Sequence, residues 1–391
     1  MLVKPQSSSL AKIKVVGVGG AGGNAIDNMI RNYDIEGVEF VAVNTDAQAL
    51  ANNSAETKLK IGEEITRGLG SGGNPAIGRK AAEESVDLLH EHLAGADMVF
   101  ITAGMGGGTG TGASPIIAGI AKNLGALTVA IVEKPFHFEG KKRMVAAMEG
   151  INEIKNKVDT LIVVPNQRLL DVIDRNISFM EALKKVDDVL AQAVKSISQL
   201  ITQAGLINVD FADVRSVMLN AGTALMGMGS ATGEDRATQA AKTAMSSPLL
   251  EMSINGATGV LFNVIGGKDL AMYEVDEAAK MISDSVHPDA NIIFGATIDP
   301  DLSDELQITV LATGFDTGSG GNPVPQTGGA GIPPRPTLGQ TNSSSAQDDS
   351  SSSASASVND GDDDNTPLTT NFSDNDDDLE TPSFLRRKKD F

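Results

Sequence analysis

The sequence predicts an α/β protein: a parallel sheet covered by helices on both faces, joined through one long helix to a smaller α+β domain, with a disordered tail. Three observations predict it. Short apolar runs alternate with amphipathic segments over residues 13–166, an apolar stripe keeps helical spacing over 178–204, and composition breaks sharply near residue 316. A chain of 391 residues suggests two or three domains. Its 41% hydrophobic content supports a sizeable core, and with 4% aromatics and no Trp that core must be aliphatic.

The strand candidates come first. "IKVVGVG", "VEFVAVN", "ADMVFITAG", "LTVAIVEKP" and "TLIVVPN" are each of strand length, rich in β-branched residues, and closed by Gly, Asn or Pro. Between them, Ile26, Met29, Ile30 and Tyr33 share one helical face, and Ile116, Ile117, Ile120 and Leu124 share another. Near-continuous apolar strands alternating with helices imply a parallel sheet buried on both faces. Ligands of such sheets bind beyond the carboxyl ends of the strands.

The long helix follows from Phe179, Leu183, Val186, Leu190, Val194, Ile197 and Ile201, which recur at three- and four-residue steps. Beyond it, 205–316 reads as an α+β domain, with helices around 211–220 and 235–245 and strands near 258–265, 291–298 and 306–313. From Thr317 the text is Gly, Pro, Ser, Asn and Asp, with 12 acidic and 5 basic residues over 317–391. Such a segment cannot bury enough apolar surface to offset its ordering entropy, so 317–378 is expected to be a disordered linker, as is the N-terminal 1–10. The last residues differ: Phe384 and Leu385 meet the basic run Arg386 to Lys389. That pattern fits a solvated charged terminus or a short docking peptide, 379–391, that folds on a partner.

Composition removes several function classes. A net charge of −20 and a pI near 4.6 argue against a nucleic-acid binder, which needs a basic footprint. The absence of Cys removes disulfides and thiolate metal sites, and four scattered His make a His-based zinc site improbable. No apolar run reaches membrane-spanning length, and "MLVKPQSSSLAK" lacks the apolar segment of a signal peptide. The expected location is the cytoplasm.

Two Gly-rich turns follow strands. "GVGGAGGNA" (17–25) carries GxGxxG at Gly17, Gly19 and Gly22, and Asp46 lies about 20 residues further on, as in the dinucleotide fingerprint. Alone it fits a nicotinamide or flavin enzyme, another nucleotide, or a structural turn. "GMGGGTGTGAS" (104–114) packs five glycines and two threonines into Gly106–Gly112. It is expected to lead into a helix beginning near Ala113 with Pro115 in its first turn. Its amides and the helix dipole can hold phosphate, and the hydroxyls of Thr109 and Thr111 can donate to phosphate oxygens. Two such turns on one sheet suit a di- or triphosphate. Neither turn has the Lys of a P-loop, so Mg²⁺ would neutralise much of the phosphate charge.

These residues resemble the FtsZ family, the bacterial tubulin-like GTPases of cell division. "GGGTGTG" is the signature of the tubulin superfamily. "GVGGAGGNA", "AVNTDAQAL", "GLGSGGNP", "KPFHFEGKKRM", "NVDFADVR", "SSPLLE" and "DPDLSDEL" resemble family text in family order, over about residues 11–316. The resemblance implies a Rossmann-like GTPase domain (11–177), a central helix (178–204) and a C-terminal α+β domain (205–316). It implies GTP or GDP as ligand, with Mg²⁺ carried mainly on the phosphates and no metal site of the protein's own. Gly20, Ala21, Gly22, Gly23, Asn24, Gly107, Gly108, Thr109, Gly110 and Thr111 would hold phosphates. Glu139 and Arg143 would contact the ribose and phosphate side, Asn166 and Asp187 would lie at the guanine, and Asn44 completes the set. On pattern alone Glu139 and Arg143 read as an i,i+4 helix pair. Leu183 sits where the family often has an aromatic ring against the base.

No residue of the nucleotide domain looks like a base for attacking water. Asp210 and Asp213 begin a helical pattern, which by itself reads as helix capping. The resemblance implies instead that this loop docks on the next subunit's nucleotide. Asp210 and Asp213 would orient the attacking water, with Asn208 at the γ-phosphate. Head-to-tail contacts that do not close give filaments. The implied partners are further copies of the chain and, through 379–391, membrane-tethering and regulatory division proteins. The implied place is the cytoplasm, at the midcell division ring, with no nucleic acid and only indirect membrane contact. An NAD-dependent oxidoreductase and a non-catalytic nucleotide-binding scaffold are the competing readings.

Overall fold

The structure, a computed structural model, describes residues 11–315, apart from Asp34, 173–176, 203–204, Asn208, Pro248, Glu251 and Asp301. The expected segments 1–10, 317–378 and 379–391 lie outside the described residues, as does Asn208.

In chain order the nucleotide half runs β1 (Ile13–Val18), α1 (Gly19–Asn32), β2 (Val38–Asn44), α2 (Ala47–Asn52), β3 (Thr57–Lys60), α3 (Glu63–Thr66), α4 (Pro75–Glu84), α5 (Val86–Leu93), β4 (Met98–Gly104), α6 (Thr109–Asn123), β5 (Leu127–Lys134), α7 (Lys141–Lys155), β6 (Thr160–Pro165) and α8 (Asn166–Val172). The long helix is α9 (Phe179–Thr202). It is followed by α10 (Phe211–Met218), β7 (Gly222–Thr232), α11 (Arg236–Met245), β8 (Gly259–Gly266), α12 (Met272–Ser283), β9 (Asn291–Ile298) and β10 (Glu305–Thr313).

All five strands read from the sequence form, as β1, β2, β4, β5 and β6, and with the short unread β3 at the edge they pair in parallel in the order β3-β2-β1-β4-β5-β6. Central β4 is buried along its length until Gly104, because helices cover both faces. One face packs Ile13, Val15, Phe100, Val129 and Ile131 against α1 and α9, and the other packs Val16, Val99, Ile101 and Ala130 against α4 to α7. Fully burying a side chain such as Phe100 contributes about 2–3 kcal/mol before ordering costs. On α1 the buried face is Ala25, Ile26 and Met29, whereas Ile30 of the expected stripe is 36% exposed.

The sheet does not stop at β6. The first three residues of β7 pair in parallel with Thr160–Ile162, and β7 then continues into the order β7-β10-β8-β9. The two domains therefore share one ten-stranded sheet, with α9 laid against α1 and β5. The sequence reading assigns no strand to 222–232 and no helix to 272–283. In the second domain, buried Arg236 at the start of α11 donates to Glu274 at 2.6 and 3.0 Å and to Asp269 at 2.6 Å, tying α11 to the start of α12.

Candidate functional site

A cleft of about 510 Å³ lies over the carboxyl ends of β2, β1, β4, β5 and β6. This is where a parallel α/β sheet presents its loops. Its centre is made by the two Gly-rich turns, which touch each other. Gly19 has φ +75°, and a Cβ there would lie 2.8 Å from the amide nitrogen of Gly110. Gly106 has φ +98°, and its Cβ would lie 2.7 Å from the carbonyl oxygen of Arg143. Both positions need glycine for backbone conformation and for space.

The helix after the second turn begins at Thr109, four residues before the expected start, so Pro115 lies inside α6 rather than in its first turn. Gly and Thr are weak helix formers. Tertiary contact overrides that preference: the chain at Pro75 and Arg79 of α4 closes directly on Gly112. Consequently Thr109 to Gly112 form the first helical turn; the Gly112 amide donates to the Gly108 carbonyl at 3.0 Å, and those of Thr109, Gly110 and Thr111 precede the first carbonyl that the helix can offer them. Gly107, Gly108, Thr109 and Gly110 line the cleft, as do Gly20 and Ala21 from the start of α1. A Cβ on Gly20 or Gly107 would meet nothing within 4 Å, so both face open space. Two helix N-termini and bare backbone around that space fit phosphate.

The other expected phosphate residues lie further out. Gly22 is buried where its Cβ would fall 2.4 Å from the Thr102 carbonyl oxygen, which packs α1 on β4. The carbonyl of Gly23 accepts from Asn53 at 2.8 Å, and Asn24 is exposed. The Thr111 hydroxyl accepts from the Gly106 amide at 2.8 Å, holding the turn rather than facing the cleft. Asn44 lines the cleft, and its Oδ1 accepts from the amides of Thr45 and Asp46 at 2.8 and 3.3 Å. Asp46 caps α2 by accepting from Gln48 and Ala49.

Sequence reasoning missed a cluster of hydroxyls on the β2 side. The Thr109 hydroxyl lies 2.7 Å from that of Thr45 and 3.0 Å from that of Ser71, all three buried and lining the cleft. Thr45 and Ser71 sit within "AVNTDAQAL" and "GLGSGGNP", and no spacing rule marks them individually.

On the β5–β6 side the cleft is rich in acceptors. Asn166, the first residue of α8, donates through Nδ2 to Glu133 Oε2 at 3.2 Å. Asn166 Oδ1 and Glu133 Oε1 are buried with no partner. Burial, then the charges of Asp187 and Glu139, push the Glu133 carboxyl up to about 8, against the Asn166 hydrogen bond that lowers it. Burial and then the neighbouring Asp188 push Asp187 on α9 up to about 7. Asp188 is tethered to α1 by Asn28 Nδ2 at 3.1 Å. Buried acceptors without donors are costly, so this end suits a ligand edge that carries N–H groups. Glu133 lies inside an apolar strand pattern and gave no signal in the sequence.

These carboxyls give a pH dependence. Unfolded, Glu133 and Asp187 titrate near 4.5 and 3.8; folded, they hold their protons to about 8 and 7. Between about pH 5 and pH 8 the folded state therefore binds more protons than the unfolded state, so stability falls as pH rises. In nucleotide-free protein the melting temperature should fall across that window, and Glu133→Gln should flatten the fall. Melting scans at stepped pH check this, and an equally steep fall in the variant would contradict it.

Glu139 and Arg143 line the cleft as a pair at 2.6 Å. Glu139 lies on a 3₁₀ turn (His137–Glu139) and also accepts from the Phe136 amide at 2.9 Å. Leu183 is partly buried against the core. Among the described residues no group of three His, Cys, Asp or Glu is placed to hold a metal ion, and no helix is long and apolar enough to cross a membrane.

The acids after the long helix are not part of this cleft. Asp210 is the N-cap of α10, accepting from the Asp213 amide at 2.8 Å. Asp210 and Asp213 are exposed, and neither lines the cleft of its own chain. The structure thus brings together Gly20, Ala21, Asn44, Gly107–Gly110, Glu139, Arg143 and Asn166, and leaves the two acids outside.

The model of the GTPase domain of the Tubulin/FtsZ family matches residues 12–174, and that of the C-terminal domain of the FtsZ family matches 222–316. Among solved structures, the chain is similar to an empty FtsZ dimer from M. jannaschii. Identity is 48% and the TM-score 0.76, covering 79% of this chain and 90% of that one. The GDP-bound monomer of CetZ1 from Haloferax volcanii shares the fold at 21% identity and TM-score 0.68, covering 78% of this chain and 95% of that one. The GTPγS-bound protofilament of CetZ2 from the same organism does so at 23% identity and TM-score 0.65, covering 77% and 92%.

Proposed function

The chain belongs to the Tubulin/FtsZ family of GTPases, with an FtsZ-type C-terminal domain, and from that premise we propose that it binds and hydrolyses GTP at an active site completed by self-assembly. The filaments so formed build the cytokinetic ring at the bacterial division site. One observation carries this reading: the nucleotide cleft and the exposed pair Asp210 and Asp213 occupy separate places on one chain.

In this reading the phosphates of GTP lie on the amides around Gly20, Ala21 and Gly107–Gly110, at the N-termini of α1 and α6. Gly22, Gly23 and Asn24 support the first turn, and Thr111 supports the second. Arg143 and Glu139 flank the ribose and phosphate side, with Asn44 across the cleft. Guanine presents its N–H groups to Asn166 and Asp187. Mg²⁺ would be held mainly through the phosphate oxygens of the nucleotide, where it would neutralise phosphate charge. The neighbouring copy then contributes Asp210 and Asp213, with Asn208, to orient and polarise water at the γ-phosphate. Carboxylates beside a triphosphate are tolerable only where that negative charge is already offset.

Supplying these acids from another molecule makes hydrolysis depend on contact between copies. Specific activity should therefore rise with protein concentration, in step with light scattering. A constant specific activity across a wide dilution series would contradict the proposal. The segment 379–391, with Phe384 and Leu385 beside four basic residues, fits a docking peptide for membrane-tethering and regulatory division proteins. A deletion of 379–391 that left ring localisation unchanged would refute that part.

A further inference from the structure

We propose that Glu133 is a specificity-determining residue of the base subsite, setting the Asn166 amide with one carboxyl oxygen and offering the other to the donor edge of guanine. This rests on the guanine-nucleotide reading above and adds a residue to it.

Glu133 stands on β5 at the rim of the cleft and is 6% exposed. A buried carboxyl is costly unless its oxygens are satisfied. One is: Oε2 accepts from Asn166 Nδ2 at 3.2 Å. That bond fixes which way the amide faces: Nδ2 lies toward Glu133 with one of its two N–H groups engaged, and Oδ1 lies on the other side. The remaining atoms, Glu133 Oε1 and Asn166 Oδ1, are both buried without a partner. Asp187 lies close enough to act electrostatically on Glu133. The end of the cleft is thus a group of acceptor oxygens, and the proton that burial holds on Glu133 to about pH 8 in nucleotide-free protein leaves to solvent when guanine N–H groups take its place.

Purines differ on this edge. Guanine carries N1–H and a 2-amino group, three N–H bonds in all. Hypoxanthine keeps N1–H and lacks the 2-amino group. Adenine has a bare N1, an acceptor that would face acceptors. A subsite of unpartnered acceptors therefore ranks guanine above hypoxanthine and adenine last.

Glu133→Gln is a sharp probe because it keeps the shape. The new amide must use its NH₂ somewhere. If its oxygen stays on Asn166 Nδ2, its NH₂ faces the base. If its NH₂ turns to Asn166, the Asn166 amide turns over and presents its own NH₂. Either way one acceptor facing the base becomes a donor.

The test is equilibrium binding of GDP and IDP to the full-length protein, wild type and Glu133→Gln, with melting scans to show that both are folded. Glu133→Leu, which removes both oxygens, is the second variant. The expected result is tight GDP binding by wild type, weakened about tenfold or more in both variants, with IDP weakened clearly less. The GDP-to-IDP preference should shrink accordingly. A preference within twofold of wild type in folded Glu133→Gln overturns the inference, whether GDP affinity is unchanged or both nucleotides weaken together. In that case tight GDP binding by wild type leaves the guanine-nucleotide reading standing. Failure of wild type to bind GDP overturns both.

Discussion

Replacing Asp213 by alanine is expected to lower GTP hydrolysis by about 100-fold or more, while GTP binding and filament assembly persist. The carboxylate is exposed at the first turn of α10, and the hydrogen bonds of Asp213 run through its backbone, the amide donating to Asp210 and the carbonyl accepting from the Ser216 hydroxyl at 2.7 Å. Its removal leaves no buried group unsatisfied. The stability change should stay within about 1 kcal/mol, the scale of an acidic side chain at a helix N-terminus. Asp210 is a less clean probe: it caps α10, so Asp210→Ala would cost about 1 kcal/mol of stability along with any catalytic effect. Single-turnover hydrolysis, nucleotide binding and light scattering on Asp213→Ala separate the three properties. Wild-type hydrolysis in this variant would refute the role given to the acids.

Gly107→Leu should weaken GTP binding severely by the opposite route, from within the cleft. A Cβ at Gly107 meets nothing within 4 Å, and its backbone is not left-handed, so the fold accepts a side chain there. The leucine then fills the space assigned to phosphate and covers amides that would hold it. Affinity should fall by a factor of 100 or more, roughly the loss of two charge-assisted hydrogen bonds. The melting temperature of the nucleotide-free protein should stay near wild type. Gly19 and Gly106 are the contrast, because a Cβ there collides with backbone and would damage the loops themselves. Wild-type affinity in Gly107→Leu would mean that phosphate does not sit on this turn.

How legible these features were depends on what each residue packs against. The five strands over 13–166 were readable because burial on both faces demands β-branched apolar runs, which are a local signal. "GTALMGMGSAT" was not readable as β7, because its small residues serve a neighbour. A Cβ on Gly227 or Gly229 would fall 2.0 and 2.2 Å from carbonyl oxygens of α11, so these glycines let the helix close on the strand. Met272–Ser283 did carry a pattern, with Val275, Ala278 and Ile282 at helical steps, that the sequence reading passed over. The early start of α6 is tertiary in origin and leaves no local trace. At the site, the Gly-rich turns announce themselves because unusual backbone needs glycine. Thr45, Ser71 and Glu133 do not, because their chemistry arises from which strand ends the fold places side by side.

Asp213→Ala and Gly107→Leu together test the central claim, that one copy supplies the cleft and the next supplies the acids. The first chain keeps a working cleft and lacks the acid; the second keeps the acid and lacks the cleft. Each alone should hydrolyse GTP at a small fraction of the wild-type rate. Mixed, the acid of the second can reach the nucleotide held by the first, across the same head-to-tail contact that builds filaments. The predicted result is hydrolysis well above the sum of the two separate rates, rising with total protein. Hydrolysis equal to that sum, in mixtures shown by co-sedimentation to associate, would contradict the shared active site.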